Sequence, residues 1–543
     1  MSTTLFSNGL IVDGTGKPSF KGSILIEDSR ITGIFKEGQE LPEAEQVIDA
    51  KGLVISPGFI DMHSHADWLL PLDDHPKIMK CMVEQGVTTV IAGNCGISPA
   101  PMNKKAITKT EILAAIAMDG CFDYLWETMD EYLTHVNNSK PIVNMAELVG
   151  HATLRYNTNQ DDRGDMTARE LKQCLDNTRR ALDDGACGLS FGLGYDPGMY
   201  SSQEELEAFC SVAAAADKPV TMHIKALSKL SPCYPLTSLT AHNVRALIEA
   251  LSIAEKTGVR LQLSHFIFVG RKSWSTAEKC IQLVEDARSR GVDVQIDAFP
   301  YLCGNTTILA PVPYWFLAKI PEAYSSPFLR ARLKLELSVG FKLVGFNYGD
   351  FQVMDAYVPE YERFNGKRIS EIAKALNRSS FDTMMDIAEK SKGATLMLYH
   401  TYSGEPGYEK VLDRVLALDY CLFETDAFVK VSGFPNPAIK GNFPRILGHC
   451  VRDKKLFTLE NAVHRMTGAS AARFGLNSIG RLETGKAADI VCFDPKTIAD
   501  NPGDDNHPAE KPDGIRHVFL NGQQVVENGK YIESARAGRV IRG

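Results

Sequence analysis

The sequence predicts an α/β chain: a (β/α)8 barrel joined to a small composite β-sandwich from both termini, with an insertion late in the barrel. Three observations predict it. Eight short apolar runs alternate with helical patterns through the middle of the chain. The two ends share a different, strand-rich texture. The alternation breaks once, between Asn305 and about Gly393. A chain of 543 residues exceeds one core of ordinary size, which suits a large barrel plus a smaller unit.

The first 57 residues read as antiparallel strands punctuated by Gly and Asp: "TLFSNGLIVDG", "GSILIEDSRITGIF", "QVIDAKGLVISPG". "GRLETGKAADIVCFDP" and "IRHVFLNGQQVVENGKYI" repeat that texture near the other end. Residues 1–57 with 475–543 are therefore expected to form one β-domain, around a barrel over 58–474. The candidate barrel strands are "FIDMHSH", "TTVIAGN", "IVNMAELVGH", "ACGLSFGL", "PVTMHI", "RLQLSH", "VDVQIDAFPY" and "YCLFETDAF". Between them, Thr167/Glu170, Ser202/Glu205 and Ser275/Glu278 have the spacing of helix capping boxes. A doubly wound sheet is the alternative, but eight strands without a Gly-rich phosphate loop favour the barrel. Segment 305–393 reads as a lid-like insertion near the active face.

Composition narrows the function. Hydrophobic residues make up 44% and charged residues 23%, a globular balance. The net charge of −8 disfavours nucleic acid and anionic membranes and leaves small-molecule chemistry. The 12 cysteines are scattered without a CxxC pair, which fits a reducing, cytoplasmic setting. "MSTTLFSNGLIVDGTG" lacks a basic start and an apolar core, so no signal peptide is expected. No apolar run is long enough for a membrane span. The oligomeric state is not legible.

Barrels of this kind carry their active sites at the C-terminal ends of the strands. Those ends hold His63, His65, Cys95, His151, His223, His265 and Asp426, including five of the 13 histidines. These residue types bind zinc-like cations. His63 and His65 point to one side, because side chains repeat every second residue along a strand. Each feature alone has an ordinary reading: a loop pair of histidines, a core histidine, a buried apolar Cys, a turn-capping Asp. Together, at successive strand ends, they favour a metal site.

"PGFIDMHSHAD", "GVTTVIAGNCGISPAP", "LVGHATLR", "GLSFGLGYDPGMY", "MHIK", "LSH", "DAFPY", "GNFPRILGHCVR" and "GRLETGKAADIVCFDP" together resemble the D-aminoacylase (N-acyl-D-amino-acid deacylase) family of the amidohydrolase superfamily. The likeness runs the length of the chain and is weakest between about 306 and 392. It implies one tight zinc site at Cys95, His223 and His265, and a second, weaker position at His63, His65 and Asp426. The expected activity is hydrolysis of a linear amide, an N-acyl amino acid or related N-acyl amine, by metal-activated water. Asp426 is the candidate general base. His151 and Tyr195 are candidate donors to the oxyanion.

The chain departs from that family where the family holds a substrate carboxylate. Ile267 stands for a lysine. In "FPYLCGN", Phe299 and Asn305 stand for a tyrosine and a serine, while Tyr301 stays in the same substrate wall. Asn436 and Ala438 stand for a histidine and an arginine. Losing two cations and a phenol predicts weak activity on simple N-acetyl-D-amino acids. Lys225, Lys272, Lys440 and Arg445 are candidates for a relocated charge. Rival expectations are a cyclic-amide (hydantoinase- or dihydroorotase-like) or lactone hydrolase, a catalytically silent binding protein, and an enzyme with Cys95 as nucleophile.

Overall fold

A computed structural model describes residues 2–104, 106–114, 123–158, 163–235, 238–426, 428–430, 432–504 and 507–543. Eight parallel strands form the barrel: Phe59–Asp61, Val87–Ala92, Asn144–Gly150, Gly188–Gly192, Val220–His223, Leu261–Leu263, Val294–Ala298 and Cys421–Phe423. They pair in chain order, so each expected barrel strand is present at its expected place. Their residues are almost all buried, the pattern of a parallel sheet covered on both faces. The last and first strands are closed by side-chain as well as backbone bonds. Asp61 accepts from the Thr425 N–H at 2.9 Å and the Thr425 hydroxyl at 2.7 Å. The Asp426 N–H donates to the His63 carbonyl at 3.1 Å.

Helix starts follow the sequence at two of three sites. Thr167 and Glu170 form a reciprocal box at the helix Ala168–Asp183. Ser202 accepts from the Glu205 N–H, but Glu205 turns its carboxylate inward instead of back to the cap. At Ser275/Glu278 no box forms. A 3-10 turn, Trp274–Thr276, precedes the helix Ala277–Ser289 and draws the Ser275 hydroxyl to the Lys272 carbonyl.

Strands from both ends of the chain build a nine-stranded sheet. In it Val54–Pro57 is hydrogen-bonded to Ile490–Phe493. The rings of Phe6 and Phe519 meet edge-on at 4.9 Å, although their strands are three places apart in the sheet. Three strand spacings are about 14 Å, so the sheet curls into two layers around its own apolar core. Phe6, Ile11, Ile24, Ile31, Ile55, Ile490 and Phe519 fill that core.

Between the seventh and eighth barrel strands lies a separate three-stranded antiparallel sheet of Cys303–Thr307, Leu396–His400 and Phe351–Asp355. The helix Pro327–Val344 belongs to the same segment. The sheet begins just after the seventh barrel strand, which places its first residues beside the strand ends. Among the described residues no helix is long and apolar enough to cross a membrane.

Candidate active site

The strand ends bring the expected donors together. His63 Nε2 lies 3.2 Å from Cys95 Sγ and 3.6 Å from Asp426 Oδ1. Cys95 Sγ lies 3.7 Å from His265 Nε2 and 3.9 Å from His223 Nδ1. His65 Nε2 is 3.7 Å from Asp426 Oδ1. A tetrahedral zinc with Zn–S of about 2.3 Å and Zn–N of about 2.0–2.1 Å sets its ligand atoms about 3.5 Å apart. The donor set fits such an ion in type and spacing. Among the described residues three groups have their donor atoms close enough together for one ion: His63, Cys95, His265; His63, His65, Asp426; and His63, Asp297, Glu424, with His63 in all three.

Three of these donors sit on backbone that only glycine adopts freely. Cys95, His265 and Asp426 have φ of 56°, 32° and 42°. Each such residue costs about 1–3 kcal/mol and persists only where its surroundings over-determine it. Those surroundings are visible. Tyr195 donates its hydroxyl to the Cys95 carbonyl at 2.6 Å. Asp297 accepts the His265 N–H at 2.6 Å and is itself held by Gln262 at 2.7 Å. Gly194 leaves room for His223, since a Cβ there would stand 2.8 Å from its Nε2.

Electrostatics follow from burial. Burial, then the imidazoles of His265, His65 and His223, hold His63 well below the ordinary histidine range. Burial, then His265 and His65, does the same to His223, so both rings are neutral and offer lone pairs. Burial, and after it the Asp426 carboxylate, pushes the Cys95 thiol well up. A cation among these donors would invert that last shift.

Sequence reading missed Glu424. It is fully buried, and its Oε2 stands 3.3 Å from His63 Nδ1, behind the ring. Asp297 Oδ1 is 4.0 Å from the same nitrogen. Burial, then Asp297 and Asp426, pushes the Glu424 carboxyl well above the usual range. A signal existed: Glu424 is a carboxylate in the same strand-end segment, "FETDAF", as Asp426.

Other expected site residues lie differently. His151 is turned away from the cluster. Its ring packs against Phe191 and Phe209, and its Nε2 bonds Glu205 at 2.8 Å, so it is no oxyanion donor in this arrangement. Arg155 completes that group, 2.6 Å from both Glu205 oxygens. Burial raises Glu205, but His151 and Arg155 outweigh it and hold the carboxyl at about 2. Tyr195 stays beside the site, its ring 5.1 Å from that of His223, with its hydroxyl committed to Cys95. Tyr301 gives its hydroxyl to Asp500 at 3.0 Å, beneath the Arg445 guanidinium, instead of facing substrate. Phe299 is core. Ile267 lines a narrow apolar space with Ile224, Leu227, Leu263 and Phe268.

Asn305 donates to the Asp426 carbonyl at 2.7 Å and accepts from Asn436. Asn436 also accepts the Ala438 N–H at 3.0 Å. The four candidate cations are engaged elsewhere or exposed. Arg445 pairs with Asp500 at 3.1 Å, and Lys440 donates to the Ala509 carbonyl at 2.8 Å. Lys225 donates to the Ser201 carbonyl at 3.4 Å, and Lys272 is exposed.

Comparison with known proteins identifies the family. The amidohydrolase family model matches residues 46–302 and 366–526, skipping the start of the inserted segment. N-acyl-D-glutamate deacylase of Alcaligenes xylosoxydans xylosoxydans is 30% identical over 99% of this chain and 96% of its own length. A D-aminoacylase described by its binuclear metal centre superposes with TM-score 0.79 at 29% identity, covering 99% of both chains. N-acyl-D-glutamate deacylase from Bordetella bronchiseptica, complexed with zinc and a phosphonate inhibitor, superposes with TM-score 0.80 at 28% identity, again over 99% of both. A D-hydantoinase from Thermus sp., at 17% identity and TM-score 0.56, shares the fold alone.

Proposed function

Because this chain belongs to the amidohydrolase family, among its D-aminoacylases, we propose that it is a zinc-dependent hydrolase of a linear N-acyl amine or N-acyl amino acid. The observation that carries the reading is the convergence on Cys95 Sγ of His63, His265 and His223 at 3.2, 3.7 and 3.9 Å. Cys95, His223 and His265 would hold the tight ion, and His63, His65 and Asp426 a weaker one. Zinc held by such a set would lower the pKa of a bound water to about 7 and so would supply a nucleophile at neutral pH.

The chain's own groups do the rest. Asp426, 18% exposed at the mouth of the cluster, takes the proton of the attacking water and returns it to the leaving nitrogen. Glu424 and Asp297 orient the His63 ring from behind. The segment 305–393 covers the strand ends as a lid over a barrel of 58–474, beside a β-domain of 1–57 with 475–543. Every described cysteine is free, which suits a reducing, cytoplasmic setting.

Substrate recognition differs from that of the relatives. Ile267, Phe299, Asn305, Asn436 and Ala438 offer no cation, and the candidate replacements are engaged elsewhere or exposed. The preferred substrate therefore lacks a carboxylate gripped at those positions. The test is a panel assayed with and without chelator. Neutral N-acyl amines should be cleaved, with activity lost on chelation and restored by zinc. Efficient hydrolysis of N-acetyl-D-methionine or N-acetyl-D-glutamate would refute the substrate assignment. Preference for a hydantoin ring, or indifference to chelator, would refute the reaction assignment.

A further inference from the structure

We propose that Asn305 and Asn436 are positioning residues for Asp426, forming a two-amide relay that locks the proton carrier into its turn and ties it to the inserted segment. The inference rests on the reading of Asp426 given above. The resemblance to the D-aminoacylase family implies that these two positions face a substrate carboxylate. Their hydrogen bonds point elsewhere.

The relay can be followed atom by atom. Asn436 Oδ1 accepts the N–H of Ala438, the first residue of the helix Ala438–Arg445, at 3.0 Å. Asn436 Nδ2 donates to Asn305 Oδ1 at 2.5 Å. Asn305 Nδ2 then donates to the Asp426 carbonyl at 2.7 Å. On its other side, the Asp426 N–H is taken by the His63 carbonyl at 3.1 Å. The peptide groups of Asp426 are thus gripped from two directions, by the turn that follows the first barrel strand and by the inserted sheet.

That double grip is what its backbone requires. With φ at 42°, Asp426 occupies a conformation an L-residue leaves unless held. The barrel alone supplies one bond; the insertion supplies the other. Asn305 lies in the strand Cys303–Thr307, paired with Leu398 across the inserted sheet. Displacing that strand removes the bond to Asp426, so the insertion and the carboxylate move as one. Asn436 is only 2% exposed and spends both ends of its amide inside the protein, which leaves it poorly placed to meet substrate.

The two roles give opposite kinetics. If the amides position Asp426, Asn305→Ala and Asn436→Ala each lower kcat by about 10–100-fold, the scale of a misplaced catalytic group, with little change in KM. The double variant is no worse than the poorer single one, because the relay is one object. Asn305→Asp, nearly isosteric, keeps the acceptor for Asn436, loses the donor to Asp426, and falls as far as Asn305→Ala. It serves if the alanine variant fails to fold. A raised KM at unchanged kcat, or multiplicative losses in the double variant, would overturn the proposal. A second readout needs no substrate. Cobalt(II) replaces zinc, and its visible absorption reports ligand geometry; both single variants should shift the wild-type spectrum alike. Unchanged spectra in both would overturn the relay. Failure of the wild-type protein to bind cobalt would overturn the metal-site reading and the relay with it.

Discussion

Two of the places where the chain buries histidines are built on opposite principles. Around His63, His265, Cys95 and Asp426 the converging atoms are nitrogen, sulfur and carboxylate oxygen, all bearing lone pairs, at 3.2–3.7 Å. Around His151, the Glu205 carboxylate meets an imidazole at 2.8 Å and a guanidinium at 2.6 Å. The first gathers acceptors of one kind, which calls for a cation. The second balances its charge within the protein and sits between aromatic rings. A buried histidine at a strand end is therefore no mark of chemistry by itself; the sign of what it faces decides.

The largest expected effect tests the first cluster. Asp426→Asn keeps the shape and removes the proton carrier, so kcat should fall by about 10²–10⁴. Elemental analysis should still find the tight ion at Cys95, His223 and His265, while the weaker ion that Asp426 helps hold is lost. Full turnover in this variant would dissolve the contrast between the clusters.

The next effect belongs to the second cluster. Glu205→Ala strands the Arg155 charge in the interior and should cost about 3–5 kcal/mol by urea unfolding. Activity per folded molecule should not change. Lost activity at intact stability would mean that the two clusters act together. Acid probes the same residue more gently. The Glu205 pKa is depressed to about 2, so its contribution is fully present above the unfolded value near 4.5 and is lost as pH falls through about 2. The shift is worth about 3 kcal/mol. Unfolding compared at about pH 5 and about pH 2 should show that loss in the wild type and not in Glu205→Gln. Equal losses in both would assign the acid sensitivity elsewhere.

The smallest effect refines the first cluster. Glu424→Gln should weaken zinc binding by about 10–100-fold in chelator competition, since the carboxylate behind His63 sets its orientation and basicity. Unchanged affinity would reduce Glu424 to packing.

Much of this was legible in the sequence, for reasons that also explain the gaps. The eight barrel strands stood out because burial on both faces makes each a largely apolar run. The donors stood out because His, Cys and Asp are conspicuous there. His151 shared that position and misled. A helix, His151–Thr158, begins at that residue and swings its side chain out to Phe191 and Phe209. Tyr301 misled for a different reason: its partner Asp500 is 199 residues away. Asn305 and Asn436 could be seen to differ from the family, but not that they bond each other and Asp426. Hydrogen bonds spanning 121 and 131 residues leave no local pattern.

The left-handed backbone at Cys95, His265 and Asp426 sets the terms on which such a chain can change. At each of these positions glycine would relax the turn and add stability. At each it would also delete a donor. Selection for robustness alone would thus wear away the metal site from inside, one relaxed turn at a time, while leaving the barrel intact. In a descendant of this fold, glycines at these three strand ends would record chemistry given up for stability.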